Sequence, residues 1–340
     1  MKKKAIILFV LLLSITLLLS ACLPKSKNKT KITKQKTKES ETDARTLRVA
    51  YMRAPTLNPL IDIAEQKGYF RQNGVKIRKI RAQGAIGLLT KRKADVALLS
   101  LVPALSAFLD NKDVRFIAAI SNSSSMFLNT SRFPVSRFPK DKIAEVKKVG
   151  IAKLTKNERL IIQMLLNDMG LNVKLIKIEE SLQESDRAKM LTEAKVDMVF
   201  IGSKKTRDAL QSKGNYAVFD AKEMLKDYYM PSGIVSTKFA LRKKPQAAKA
   251  FVKALYQAYK YINDNADELI SILENKFHLS TPAANFMYKN LLEAGAGHDY
   301  VPNGNPAKLA ASLASITRLE NPQRDLSKFI IKKYAEEAVK

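Results

Sequence analysis

"LTKRKADVALLS" (89–100) and "LTEAKVDMVFIG" (191–202) are one pattern written twice, 102 residues apart. Each copy opens on Leu-Thr, passes through a charged turn ending in Lys-x-Asp, and closes on a short apolar run. Upstream, "LRVA" (47–50) answers "VGIA" (149–152), and "VKIRKI" (75–80) answers "VKLIKI" (173–178). The short β-branched and apolar runs have strand character, and the stretches between them repeat every three to four residues, as helices do. Leu60, Ile61, Ala64 and Tyr69 make the helical stripe of the first copy, and Leu160, Ile161, Met164 and Leu165 that of the second. Each half therefore reads strand, helix, strand, helix, strand. Such alternation builds a mostly parallel sheet covered on both faces. The fold class is α/β, with two lobes. Asp95 and Asp197 enter the third strand at equivalent places, and are expected to finish a turn rather than to touch a ligand.

The last third of the chain is mainly helical. Ala247, Phe251, Ala254, Leu255, Ala258, Tyr259 and Ile262 share one helical face, with Lys249, Lys253 and Lys260 elsewhere. Further helices are expected at 281–293, 306–318 and 325–338. The expected division is 47–134 plus 235–340 for the first lobe and 135–234 for the second. Two crossings, near "NTSRFPVSRFP" (129–139) and "YMPSGIVST" (229–237), would form the hinge.

The front end has a different character. Lys2, Lys3 and Lys4 precede an apolar run from Ala5 to Leu19, the anatomy of an export signal. Leu19-Ser20-Ala21-Cys22 resembles the bacterial lipobox, which implies residues 1–22 as a lipoprotein signal and Cys22 as its acylated end. Cys22 is the only cysteine, so no disulfide is available. Two or three acyl chains hold a protein to a bilayer where one is marginal. Residues 23–46 carry eight Lys/Arg against three Asp/Glu and almost nothing apolar, a disordered tether. Its random-coil span is roughly 25–30 Å. The expected location is the outer face of the cytoplasmic membrane or the periplasm.

The formal charge is +28, of which +3 lies in the signal and +5 in the tether, leaving +20 on the rest. Charge of this size often accompanies nucleic acid. An exported chain with no helix-turn-helix, zinc knuckle or aromatic-basic interleaving does not fit that partner, and its 44 lysines against 16 arginines argue the same way.

Several stretches resemble, in order, the bacterial solute-binding proteins of transporters for sulfonates, taurine, nitrate and thiamine-precursor pyrimidines, the NMT1-like group. "AEQKGYFRQNGVKI" (64–77) is similar to its opening helix and second strand, and "ALLSLVPALSAF" (97–108) to its third strand and helix. "KNERLIIQMLLNDMGLNVKLIKI" (156–178) and "KPQAAKAFVKALYQAYKYINDNADELISIL" (244–273) resemble later elements. The resemblance implies a periplasmic binding protein type II fold: two Rossmann-like lobes, a two-stranded hinge and a helical C-terminal region. It implies capture of a small organic molecule or anion (sulfonate, nitrate, pyrimidine, flavin or similar) between the lobes by a monomer, and delivery to an ABC permease. The chain departs from the group in having no Trp; Gly202-Ser203-Lys204-Lys205 stands where many relatives carry Trp-x-Pro.

Ligands of open α/β sheets lie off the carboxyl ends of the strands, where helix N-termini present free N–H groups. The candidate binding residues follow from that edge: Arg53, Thr56, Asn58, Gln83, Gly84, Ser100 and Ser121 in the first lobe, and Thr155, Asn157, Gly202 and Ser203 in the second. Arg53 suits bidentate pairing with an anion. Thr56, Asn157 and Ser203 serve equally as plain helix caps. Tyr51 and Tyr229 are candidates for stacking on a ring, or simply packed. Enzyme chemistry finds little support: His278 and His298 lie in the helical C-terminal part, and there is no metal-ligand spacing, G-x-S-x-G or glycine-rich phosphate loop. No cofactor or metal is expected. The remaining alternatives are an anchored ligand-binding domain for sensing or adhesion, and an enzyme on the same fold resembling the thiamine-pyrimidine synthase, whose cysteine-rich motif is missing here.

Overall fold

The structure is a computed structural model, and it describes residues 44–52, 58–82, 84–120, 133–153, 156–181, 183–214, 216–225, 227–228, 230–295 and 301–340. The expected signal, Cys22 and nearly all of the expected tether lie outside these residues. Residues Ala44–Lys340 form one compact unit with its own apolar core. Among the described residues no helix is long and apolar enough to cross a membrane.

The first half runs β1 (Thr46–Met52), α1 (Asn58–Gln66), α2 (Tyr69–Gln72), β2 (Lys76–Ala82), α3 (Ala85–Thr90), β3 (Val96–Ser100), α4 (Leu101–Leu109) and β4 (Arg115–Ala119). The second runs β5 (Phe133–Ser136), β6 (Lys148–Ile151), α5 (Lys156–Asp168), β7 (Lys177–Glu180), α6 (Glu184–Thr192), β8 (Met198–Ile201), α7 (Lys204–Gln211), β9 (Ala217–Val218) and α8 (Ala221–Leu225). Then come β10 (Ser232–Ser236), α9 (Lys238–Lys243), α10 (Pro245–Asp264), α11 (Ala266–Phe277), α12 (Thr281–Gly295), α13 (Ala307–Ile316) and α14 (Lys333–Glu336).

Two five-stranded sheets result, ordered β2-β1-β3-β10-β4 and β7-β6-β8-β5-β9. β1 lies parallel to β2 and β3, and β6 parallel to β7 and β8. Each sheet also takes one antiparallel strand beside its third: β10 on β3, and β5 on β8. The expected lobe divisions at 134/135 and 234/235 fall inside these two strands. Phe133 and Pro134 already pair in the second sheet, and Ser232, Gly233 and Ile234 in the first.

The internal repeat extends to single hydrogen bonds. The Asp95 carboxylate accepts from the Arg48 amide at 2.9 Å, and the Asp197 carboxylate from the Lys148 amide at 2.9 Å. Ser236 donates to the Asp95 carbonyl at 2.7 Å, and Ser136 to that of Asp197 at 3.2 Å. Both aspartates stand at the amino ends of their strands, away from the edge where a ligand is expected. Each also holds an arginine, Arg48 at 2.6 Å in the first half and Arg137 in the second.

The predicted helical stripes are core. Leu60, Ile61 and Ala64 are fully buried, as are Ile161, Met164 and Leu165, while Tyr69 and Leu160 are half-buried. All seven apolar residues of the α10 stripe are buried, and Phe251 stacks on Phe70 of α2 with ring centroids 5.4 Å apart. α13 belongs to both halves: Leu309 and Leu313 share one apolar cluster with Leu105 and Phe108 of α4 and with Met164 and Leu165 of α5.

Two expected elements are shortened. The strand at 173–178 begins only at Lys177, after a turn. The helix at 325–338 is replaced by a 3-10 turn at Leu326–Lys328, an extended stretch, and α14. Phe329 is the cause. It is fully buried beside Phe108 and Phe116, and its carbonyl accepts from the Phe116 amide at 2.9 Å, so the chain straightens to add to the β4 edge.

Candidate functional site

At the carboxyl edge of the first sheet, β1, β2 and β3 end at Met52, Ala82 and Ser100, each leading toward a helix. Arg53, Thr56, Gln83 and Ser121 lie outside the described residues, as do Thr155 and Tyr229. Asn58, the first residue of α1, is buried at 3% exposure. Gly84 precedes α3 in extended conformation, exposed, with nothing described within 4 Å of where a side chain would start.

Ser100 is the residue that the geometry singles out. It occupies the N-cap of α4 in extended conformation, yet its side chain makes no capping bond. Its hydroxyl is buried and has no hydrogen-bond partner among the described residues. A buried polar group without a partner is costly, and native proteins keep few of them. Beside it, the Leu101 amide turns to the Pro231 carbonyl at 2.7 Å, on the approach to the hinge strand β10.

Tyr51 is not free to stack on a ligand through a loose side chain. Its hydroxyl donates to Asp62 at 2.6 Å, and burial together with that carboxylate pushes the phenol well above its usual range. Asp62, 2% exposed, also takes Lys79 at 2.8 Å and Lys276 at 2.5 Å. This buried carboxylate ties α1 to β2 and α11.

The second sheet's edge is furnished differently. Ser203 caps α7, its hydroxyl accepting from the Thr206 amide at 3.3 Å, which is the plain structural role. The amides of Gly202 and Ser203 are already taken by the Glu184 carboxylate, which accepts from Gly202 and, at 3.1 Å, from Ser203. The Thr206 hydroxyl approaches the same carboxylate at 3.4 Å. Arg187, buried, reaches the Ser181 carbonyl at 2.6 Å and the Phe200 carbonyl at 3.1 Å. Arg159 pairs with Glu180 across the ends of α5 and β7. Asn157 sits in the first turn of α5; its side chain is outside the described set.

Glu184, Arg187 and Arg159 were not among the expected residues. "SLQE" (181–184) does have the Ser-x-x-Glu form of a helix start. That form predicts a bond back to the helix's own first turn. Here the carboxylate instead crosses to the next strand's end, eighteen residues away in sequence.

Among the described residues no group of three His, Cys, Asp or Glu converges to hold a metal. A depression of about 330 Å³, lined by Arg45, Gly74, Lys249 and Lys253 among others, lies at the opposite, amino-terminal ends of β1 and β2.

Comparison with solved structures places the fold. A protein from Bordetella bronchiseptica superposes with a TM-score of 0.59 at 18% identity, covering 86% of this chain and 96% of that one. A Methylobacillus flagellatus protein assigned as the periplasmic sulfonate-binding protein of an ABC transporter gives 0.61 at 16%, over 86% and 93%. The ligand-binding component of an ABC-type import system from Staphylococcus aureus, solved with zinc bound, gives 0.56 at 12%, over 86% and 99%. The fold is that of the type II periplasmic binding proteins. No curated protein matches the chain. The family model described as NMT1/THI5 like matches residues 59–269, and the chain belongs to that family.

Proposed function

We propose that this protein captures a small solute between the carboxyl edges of its two sheets and hands it to an ABC-type import permease. It does so from the outer face of the membrane, as a monomer anchored through an acylated Cys22. The observation that carries the reading is the Ser100 hydroxyl: buried, without a partner among the described residues, and at the uncapped start of α4. A ligand acceptor or donor at that point would complete the hydrogen bonding of a hydroxyl that has no partner among the described residues. The helix start adds a partial positive charge, which favours an acidic or carbonyl-bearing ligand end. Gly84, exposed beside the neighbouring strand, gives backbone access, and Arg53, Thr56, Gln83, Ser121, Thr155 and Asn157 complete the proposed lining. A binding domain of this kind needs no catalytic group, and none is assigned.

The test is a thermal-shift screen of residues 44–340 against sulfonates, nitrate, amino acids, pyrimidines and flavins. A compound that binds only the folded state at a hundred times its dissociation constant adds about 2.7 kcal/mol. For a domain of this size that raises the melting temperature by at least about 2 °C. Ser100→Ala should remove most of the shift and leave the unliganded melting temperature within about 1 °C, since it deletes a hydroxyl with no partner among the described residues. Stabilisation by no class of compound would favour the sensing or adhesion reading instead.

A further inference from the structure

The two halves repeat their backbone but not their polar lining. At the first sheet's edge the helix start has no side-chain cap, its Leu101 amide goes to the Pro231 carbonyl, and the Ser100 hydroxyl has no partner among the described residues. At the second, the equivalent helix start is closed by a side chain of the protein itself. Glu184 sits on the amides of Gly202 and Ser203 and under the Thr206 hydroxyl, the very donors that a bound oxyanion would need. It is a built-in occupant, 27% exposed, held from behind by α6.

We infer that Glu184 bars oxyanions from the second half, so that the ligand turns an N–H or O–H donor to that wall and keeps any acidic group for the Ser100 side. The inference rests on the solute-capture reading and narrows its ligand class. A nitrate ion, or a sulfonate head gripped by both halves, would meet a carboxylate where it needs donors. The half-charge of the α7 start is already neutralised. Arg187 is already committed: its Nη2 pairs with Glu184 at 3.9 Å, while Nε and Nη1 go to the carbonyls of Phe200 and Ser181. Lys204 and Lys205 are exposed on the first turn of α7, where water and salt screen them. What the wall does offer is carboxylate acceptor capacity: two oxygens have about four lone-pair positions. A heterocyclic amine, an amide or a hydroxylated side chain can use what remains.

The amide NMR signals of Gly202 and Ser203 in residues 44–340 test this, with ethanesulfonate as the probe. In the wild type these signals should stay put. In Glu184→Ala they should move saturably, with an apparent affinity at least tenfold higher than any wild-type binding. Signals that titrate in the wild type within threefold of the variant overturn the inference, and so do signals that move in neither protein. Should Glu184→Ala fail to fold, Glu184→Gln carries the test, since it keeps an acceptor for the amides and removes the charge. It should bind ethanesulfonate more tightly than the wild type, and equal binding contradicts the proposal. These titrations read the wall itself. They therefore remain decisive even if the ligand screen finds no compound and the capture reading fails.

Discussion

Asp95 shows how much one residue's position can reveal. Burial by itself would raise its carboxyl pKa, but the Arg48 side chain and amide, with the Lys244 ammonium, outweigh burial and hold it below the usual carboxylate range. Asp197 follows the same logic, with the amides of Lys147 and Lys148 and the Arg137 guanidinium as its partners. A carboxyl whose folded value lies below its unfolded one stabilises the fold above about pH 4, and that stability is lost as pH falls through the folded value. Asp95→Ala deprives a largely buried Lys244 of its carboxylate, so it should cost about 3 kcal/mol at pH 7, the low end for a buried pair because Arg48 is 27% exposed. Denaturant unfolding at pH 7 and again near pH 3 checks the sign: the gap between wild type and variant should narrow in acid. An equal gap at both would mean that the carboxylate is not ionised as described. The two aspartates were legible because the repeat aligned them. Glu184 was not, because its partners lie past the end of β8 and on α7, and no local pattern points across that distance.

At the scale of elements, the hinge strand β10 depends on one glycine. A Cβ built on Gly233 would fall 2.0 Å from the Ala118 carbonyl oxygen and 2.7 Å from the Phe116 ring, next to the register shift between Ile234 and Val235. Backbone cannot yield as a flexible side chain can. Gly233→Ala should therefore lower stability by at least about 2 kcal/mol, read as a lower urea midpoint at unchanged slope. A midpoint equal to the wild type's would show that β10 is not packed in this way. Helices with a clear apolar stripe, such as α10, were legible to within a residue or two. The C-terminal segment was not. Its apolar spacing is helical, but burial of Phe329 and pairing to the β4 edge outweigh local preference. β7 was misread at its start for a related reason: "VKLIKI" has strand composition throughout, yet only the part that reaches β6 can pair.

For the whole molecule, the repeat made two sheets of like topology expected, and the resemblance implied the exchanged strands that join them. Less visible was how the C-terminal region is shared. α13 packs on α4 and α5 together, through Leu309 and Leu313, so it braces both halves rather than belonging to the first. α13 meets the second half again at Tyr228, whose ring lies 4.5 Å from the Lys308 ammonium; the Tyr228 hydroxyl donates to Asp168 of α5 at 2.7 Å, and burial and that carboxylate push its phenol up to about 12. Contacts of this kind join residues far apart in sequence and leave no local trace. If the protein captures a solute as proposed, its halves close on it by a hinge motion about β5 and β10. Small-angle X-ray scattering of residues 44–340, alone and saturated with the compound giving the largest thermal shift, tests it most directly. The radius of gyration should fall with ligand, and no such compaction should occur in Ser100→Ala at the same ligand concentration. An identical scattering curve for the wild type with and without saturating ligand would contradict it.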